Sequence, residues 1–172
     1  MFYIGTKQEV TDISYNRAKA VEYARRWALG RNPGYYDFSY IGGDCTNFVS
    51  QCIFAGAGVM NYTPVTGWYY LNVNERTPSW TGVNELYRFL INNRGAGPRG
   101  RIVPLSNMHN GDIVQLRFYD NSTFAHSAVI TDTGRGTPDT MFVAAHTNDS
   151  LDRLLSSYDY AAIRPIHIYA TG

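Results

Sequence analysis

Hydrophobic positions follow helical spacing through the first half of the chain and strand-like alternation through the second. Ala18, Val21, Ala24, Ala28 and Leu29 share one helical stripe. They predict a helix capped by Ser14 or Asn16 and ended by Gly30 and Pro33. A loop spans Asn32 to Gly43. From Asp44 onward Cys45, Phe48, Val49, Cys52, Ile53 and Gly56 define the apolar face of a second helix, with Asp44 as its cap and Asn47, Ser50 and Gln51 on the polar face. Residues 55–81 have no sustained period and are expected to form a long irregular insertion, which is uncommon unless functional. Val83, Leu86, Tyr87, Leu90 and Ile91 predict a helix to about Asn93, with Gly95 beyond its end and a Gly/Pro/Arg loop to Gly100. Strands follow over Ile113–Tyr119, Phe124–Thr131, Thr140–His146 and Ile163–Tyr169, the first entered through the turn Asn110-Gly111-Asp112. Helices first and strands afterwards predict an α+β domain with an antiparallel sheet. Met1–Ile13 has no clear period and is expected to be an extended arm; no repeat or linker divides residues 1–172, so one domain is expected.

Composition narrows the function classes. The chain has 172 residues, 44% hydrophobic and 17% charged, which suits a single globular core. Fifteen basic against fourteen acidic residues leave a net charge of +1, too little to drive binding to nucleic acid or to anionic lipid. No window reaches the ~18 apolar residues of a membrane span, and Met1–Ile4 is too short for the core of a signal peptide, so a soluble chain is expected. The 14 Tyr, 8 Phe and 3 Trp crowd into residues 35–40 and 62–80. Trp68 and Trp80 there fit either a core or one wall of a groove that stacks peptide or sugar. Cys45 and Cys52, seven residues apart on one helix, stand about 10 Å apart, beyond the ~7 Å a disulfide tolerates, so both are expected as free thiols.

Candidate chemistry lies in the cysteine and the histidines. A ladder symmetric about Gly136 would set His126 opposite His146 with Cβ atoms ~5 Å apart on one face, and Asn148 as the diagonal neighbour. Cys45 opens its helix, where unpaired N–H groups and a nearby imidazolium would stabilise a thiolate. His126 would then act as base, His146 or Asn148 would fix its tautomer, and the Cys45 N–H would face a developing oxyanion. Cys52 reads as core, Asp112 as a turn residue, and His109 and His167 as structural or solvated. A zinc site built from Cys45, His126, His146 and a carboxylate is the chemical rival, but no His-x-x-x-His or Cys-x-x-Cys spacing supports it. Neither metal nor cofactor is expected.

Gly42-Gly43-Asp44-Cys45-Thr46-Asn47-Phe48-Val49-Ser50-Gln51, with Asn110-Gly111-Asp112-Ile113, Ala125-His126-Ser127-Ala128 and Ala145-His146-Thr147-Asn148, resembles the putative amidase domain family of bacterial proteins from about Tyr15 to Tyr169. That resemblance implies a papain-like fold related to the NlpC and CHAP cell-wall hydrolases, with N-terminal helices packed on an antiparallel sheet. It implies Cys45 as nucleophile, His126 as base and His146 as third member, the pattern of NlpC enzymes, with Asn148 in reserve by the CHAP spacing. Asp44, Asn47, Asn148, Trp68 and Trp80 become the candidates for oxyanion and substrate binding. The implied partner is bacterial peptidoglycan or a peptide, cleaved at the stem peptide or at the amide joining it to glycan. An extracellular or wall-associated location follows from that substrate. A non-catalytic wall-binding module of the same fold and a thiol acyltransferase are the alternatives; the sequence specifies no oligomeric state.

Overall fold

A computed structural model describes residues 15–171; the expected arm over Met1–Ile13 lies outside them. Helix α1 runs Arg17–Trp27, and the Asn16 side chain accepts the Lys19 N–H at 3.0 Å, so Asn16 rather than Ser14 is its cap. Its buried stripe is Ala20, Ala24 and Ala28, while Leu29, expected inside, is 67% exposed. Small residues let α1 lie close against α2, Cys45–Ala57. Gly56 marks the approach, because a Cβ there would stand 2.6 Å from the Tyr15 ring and 2.9 Å from the Asn16 carbonyl. Helix α2 ends at Gly58, which takes the left-handed conformation at φ 71°.

Helix α2 is buried on every side. Thr46, Asn47, Ser50 and Gln51, expected on a polar face, are all buried with the apolar stripe. Thr46 meets Ser127 of the sheet and Gln51 accepts from the Tyr23 hydroxyl of α1, while Asn47 and Ser50 are covered by Trp68 and Trp80 of the segment expected to be irregular. That segment forms an antiparallel bridge between Asn61 and Trp68, a short hairpin of β1 (Tyr70–Asn72) and β2 (Glu75–Arg76), and one turn of helix, α3, Pro78–Thr81. Helix α4 runs Val83–Asn92 and buries Leu86, Phe89 and Leu90; Asn93 caps it and Gly95 lies beyond its end.

The main sheet has six antiparallel strands in the order β3-β8-β4-β5-β6-β7: β3 Pro98–Ile102, β4 Ile113–Phe118, β5 His126–Asp132, β6 Phe142–Ala145, β7 Ser150–Leu154 and β8 Tyr160–Thr171. The fold is thus α+β with helices on an antiparallel sheet. Neither edge strand was expected: β3 begins inside the segment read as the 95–100 loop, and no element was assigned over 150–154. Ile113, Val129, Ala144, Ile166 and Ile168 join the helices in one core, whereas Val114, Leu116, Ala128, Ile130, Val143 and Ala145 form a second cluster on the opposite face. Burial of both faces explains why these strands read as nearly continuous apolar runs. The turn into β4 works as expected: Gly111 sits at φ 87°, and Asp112 is fully buried beneath it. Its carboxylate takes the N–H groups of His109 and Ile168, the His167 ring and Arg17, tying the turn to β8 and α1. Among the described residues no helix is long and apolar enough to cross a membrane.

Candidate active site

Cys45 is the first residue of α2 and His126 the first residue of β5, and the two elements pack together. Thr46 Oγ1 bonds to Ser127 Oγ at 3.0 Å, so the start of the helix is clamped to the start of the strand. Thr46 Oγ1 also stands 3.8 Å from Sγ. Both cysteines are free thiols, as expected. Cys45 is 8% exposed and His126 6%. Burial pushes the Cys45 thiol above its ordinary range, outweighing the donors from Ser127 and Thr46 that pull it down. Burial, helped by the positive charge of Arg153, pulls His126 down to about 4. At neutral pH the Cys45 thiol and the His126 imidazole are therefore each neutral, and the expected imidazolium does not form in the resting site.

No hydrogen bond joins the Cys45 sulfur to the His126 ring, and none among the described residues orients that ring. His126 Nε2 is buried without a partner. The ring instead packs between Phe118, 6.2 Å away, and Tyr158, 5.5 Å away between centroids. By helix geometry the first-turn N–H groups of α2 have no partner within the helix.

His146 does not face His126. Strand β5 pairs with β6 through Val129↔Ala144 and Ile130↔Val143, one residue away from the symmetric ladder, with a bulge between Ile130 and Asp132. Extended to the start of β5, this register sets Ser127 opposite His146. A one-residue slip exchanges faces: His126 lies on the side of Leu116 and Ala128, and His146 on the side of the helices. There the His146 ring stacks on Phe48 at 4.0 Å, its Nδ1 lies 2.5 Å from Asp44 Oδ2, and its Nε2 donates to the Trp27 carbonyl at 2.8 Å. Both nitrogens are occupied. A carbonyl only accepts, so Nε2 is the donor to Trp27.

The remaining candidates also belong to the framework. Asp44 does not cap α2 with its side chain; its Oδ1 accepts from Phe38 N–H and Asn47 Nδ2, and Arg31 stands 3.6 Å from Oδ2. Asn47 is buried, donating to Asp44 and to the Tyr36 carbonyl and accepting from Trp80 Nε1 at 2.9 Å. Trp68 and Trp80 are fully buried and pack at 4.8 Å, and Trp68 Nε1 donates to Ser50, which donates to the Trp80 carbonyl. They are core, not a groove wall. A buried chain thus runs Trp80, Asn47, Asp44, His146, Trp27. Asn148 is exposed in the β6–β7 turn at φ 63°, and its side chain makes no hydrogen bond among the described residues.

A three-ligand zinc site from Cys45, His126 and His146 is excluded by the opposed faces and the occupied His146 nitrogens. The structure does gather His109, Asp112 and His167, whose ligand atoms lie within 4.8 Å of one another, but Asp112 there already accepts four hydrogen bonds. Arg153, half-buried on β7, is the site neighbour that sequence reasoning missed. Its guanidinium lies 3.6 Å over the Tyr158 ring. Nothing in the sequence pattern announces it, because β7 itself was not expected.

Fold and site together are those of a domain with a cysteine at a helix start facing a strand that begins with histidine. The family model "Putative amidase domain" matches residues 14–169, and the chain belongs to that family. It is also similar to a Bacillus subtilis (strain 168) protein described as uncharacterized, YhbB, with 31% identity over 158 residues. That match covers 91% of this chain and 49% of the relative, so the chain spans about half the relative's length. No solved structure is significantly similar to it.

Proposed function

We propose that the protein is a thiol-dependent amide hydrolase with a papain-like site related to those of NlpC and CHAP enzymes, in which Cys45 is the nucleophile and His126 the base. Membership of the amidase-domain family supports amide hydrolysis. The observation that carries the choice of residues is the Thr46–Ser127 clamp, which ties the start of α2, opened by Cys45, to the start of β5, opened by His126, whose Nε2 is bare. A neutral imidazole can accept the thiol proton as sulfur attacks the carbonyl, so thiolate need not exist beforehand. The first-turn N–H groups of α2 face the developing oxyanion. His126 then returns the proton to the leaving amine, and water deprotonated by the same imidazole releases the acid from the thioester.

Peptidoglycan, at the stem peptide or the amide joining it to glycan, is the proposed substrate class, and a wall-associated location goes with it. Digestion of purified peptidoglycan by the wild type and by Cys45→Ala, followed by mass analysis, tests this. New termini from the wild type alone are expected. Identical fragments from both, or loss of activity to chelator but not to iodoacetamide, would end the thiol reading. The nearly closed sulfur and the unheld His126 ring favour one second reading, a wall-binding module of the same fold. That reading predicts retention on peptidoglycan without soluble fragments.

A further inference from the structure

Arg153 shares the sheet face of His126, since it pairs with Val143, a member of the cluster that also contains Leu116 and Ala128. Its guanidinium is fixed rather than loose. The Tyr158 ring lies 3.6 Å beneath it, Nε donates to Ser157 Oγ at 2.8 Å, and the same arm reaches the Ser157 carbonyl at 3.2 Å. Among the described residues no carboxylate lies within ion-pair distance of it. The two acids nearest in sequence are already used, Asp149 by Arg31 and Asp152 by Arg25. A planar cation locked by stacking and by two hydrogen bonds, with one edge uncommitted, is pre-organised for a two-pronged carboxylate. Tyr158 links it to the site, lying against both the guanidinium and the His126 ring.

We propose that Arg153 forms an anion subsite of the candidate active site, so that the preferred substrate carries a free carboxylate on the residue flanking the amide presented to Cys45. This rests on the reading of Cys45 and His126 as the reacting pair. A bound carboxylate would also neutralise the charge that disfavours a proton on His126, so the correct substrate would ease transfer of the Cys45 proton to the imidazole.

The test uses binding, so that it stands apart from turnover. The full chain carrying Cys45→Ala is titrated calorimetrically with N-acetyl-alanyl-glutamate and with the same dipeptide fully amidated, then again with Arg153→Gln added. The amidated peptide is expected to bind about tenfold more weakly, and Arg153→Gln to erase that preference by weakening the carboxylate form alone. In parallel, the glutamate peptide should raise the His126 titration midpoint, followed by NMR, only while Arg153 is present. Equal binding of the two peptides, or a preference that survives Arg153→Gln, overturns the subsite. If the preference holds while wild-type protein hydrolyses nothing, the subsite stands and the hydrolase reading falls.

Discussion

Acidification titrates the His126 pocket and gives a stability test that needs no substrate. The imidazole is held neutral in the folded protein down to about 4, against 6.5 for the free group. Between those values the unfolded chain binds a proton that the folded one refuses, so stability falls as pH drops through 6.5 and the loss is complete near 4. Each pH unit is worth about 1.4 kcal/mol, so the group should cost about 1 kcal/mol by pH ~5.5 and about 3 kcal/mol by pH ~4, with no contribution above 6.5. Carboxylates paired in the fold, such as Asp152 with Arg25, add their own acid loss, which a difference measurement removes. Urea unfolding of the wild type and of His126→Gln at several pH values supplies that difference, because glutamine does not titrate. The wild type should lose stability relative to the variant by these amounts. Parallel curves from neutral pH to pH ~4 would refute a desolvated, unpartnered imidazole, and with it the neutral base of the proposed reaction.

The raised Cys45 thiol predicts slow carbamidomethylation at neutral pH that accelerates as pH rises past the ordinary thiol range; rapid labelling at neutral pH, read by mass spectrometry, would show an activated thiolate instead. His146→Ala should cost about 2–4 kcal/mol in urea unfolding, because it removes the buried ring partner of Asp44 Oδ2 and leaves a gap against Phe48, and a loss under 1 kcal/mol would contradict the buried pair. Trp80→Phe should cost about 1–3 kcal/mol, since it leaves Asn47 Oδ1 without its donor in a site closed to water. Gly56→Ala should cost about 1–3 kcal/mol by pushing α1 off α2, which a shifted thermal midpoint would register.

The chain by itself determined the helices α1, α2 and α4, the turn at Gly111 and the inner strands, because each carries a local period or a glycine at positive φ. Cys45 at the start of a helix was legible for the same reason. The edge strands were not, since Pro98–Ile102 and Ser150–Leu154 are half-polar segments that become strands only by pairing with a neighbour. Tertiary structure alone decided the histidines. A one-residue register shift, invisible in alternation, put His126 and His146 on opposite faces and turned the expected third catalytic member into the partner of Asp44. It also decided the tryptophans: Asn47 and Ser50 of α2 needed partners, and residues 58–81 supplied them, drawing Trp68 and Trp80 into the core. Periodicity reports which residues prefer burial, whereas pairing register and the covering of a face depend on contacts between segments far apart in the chain.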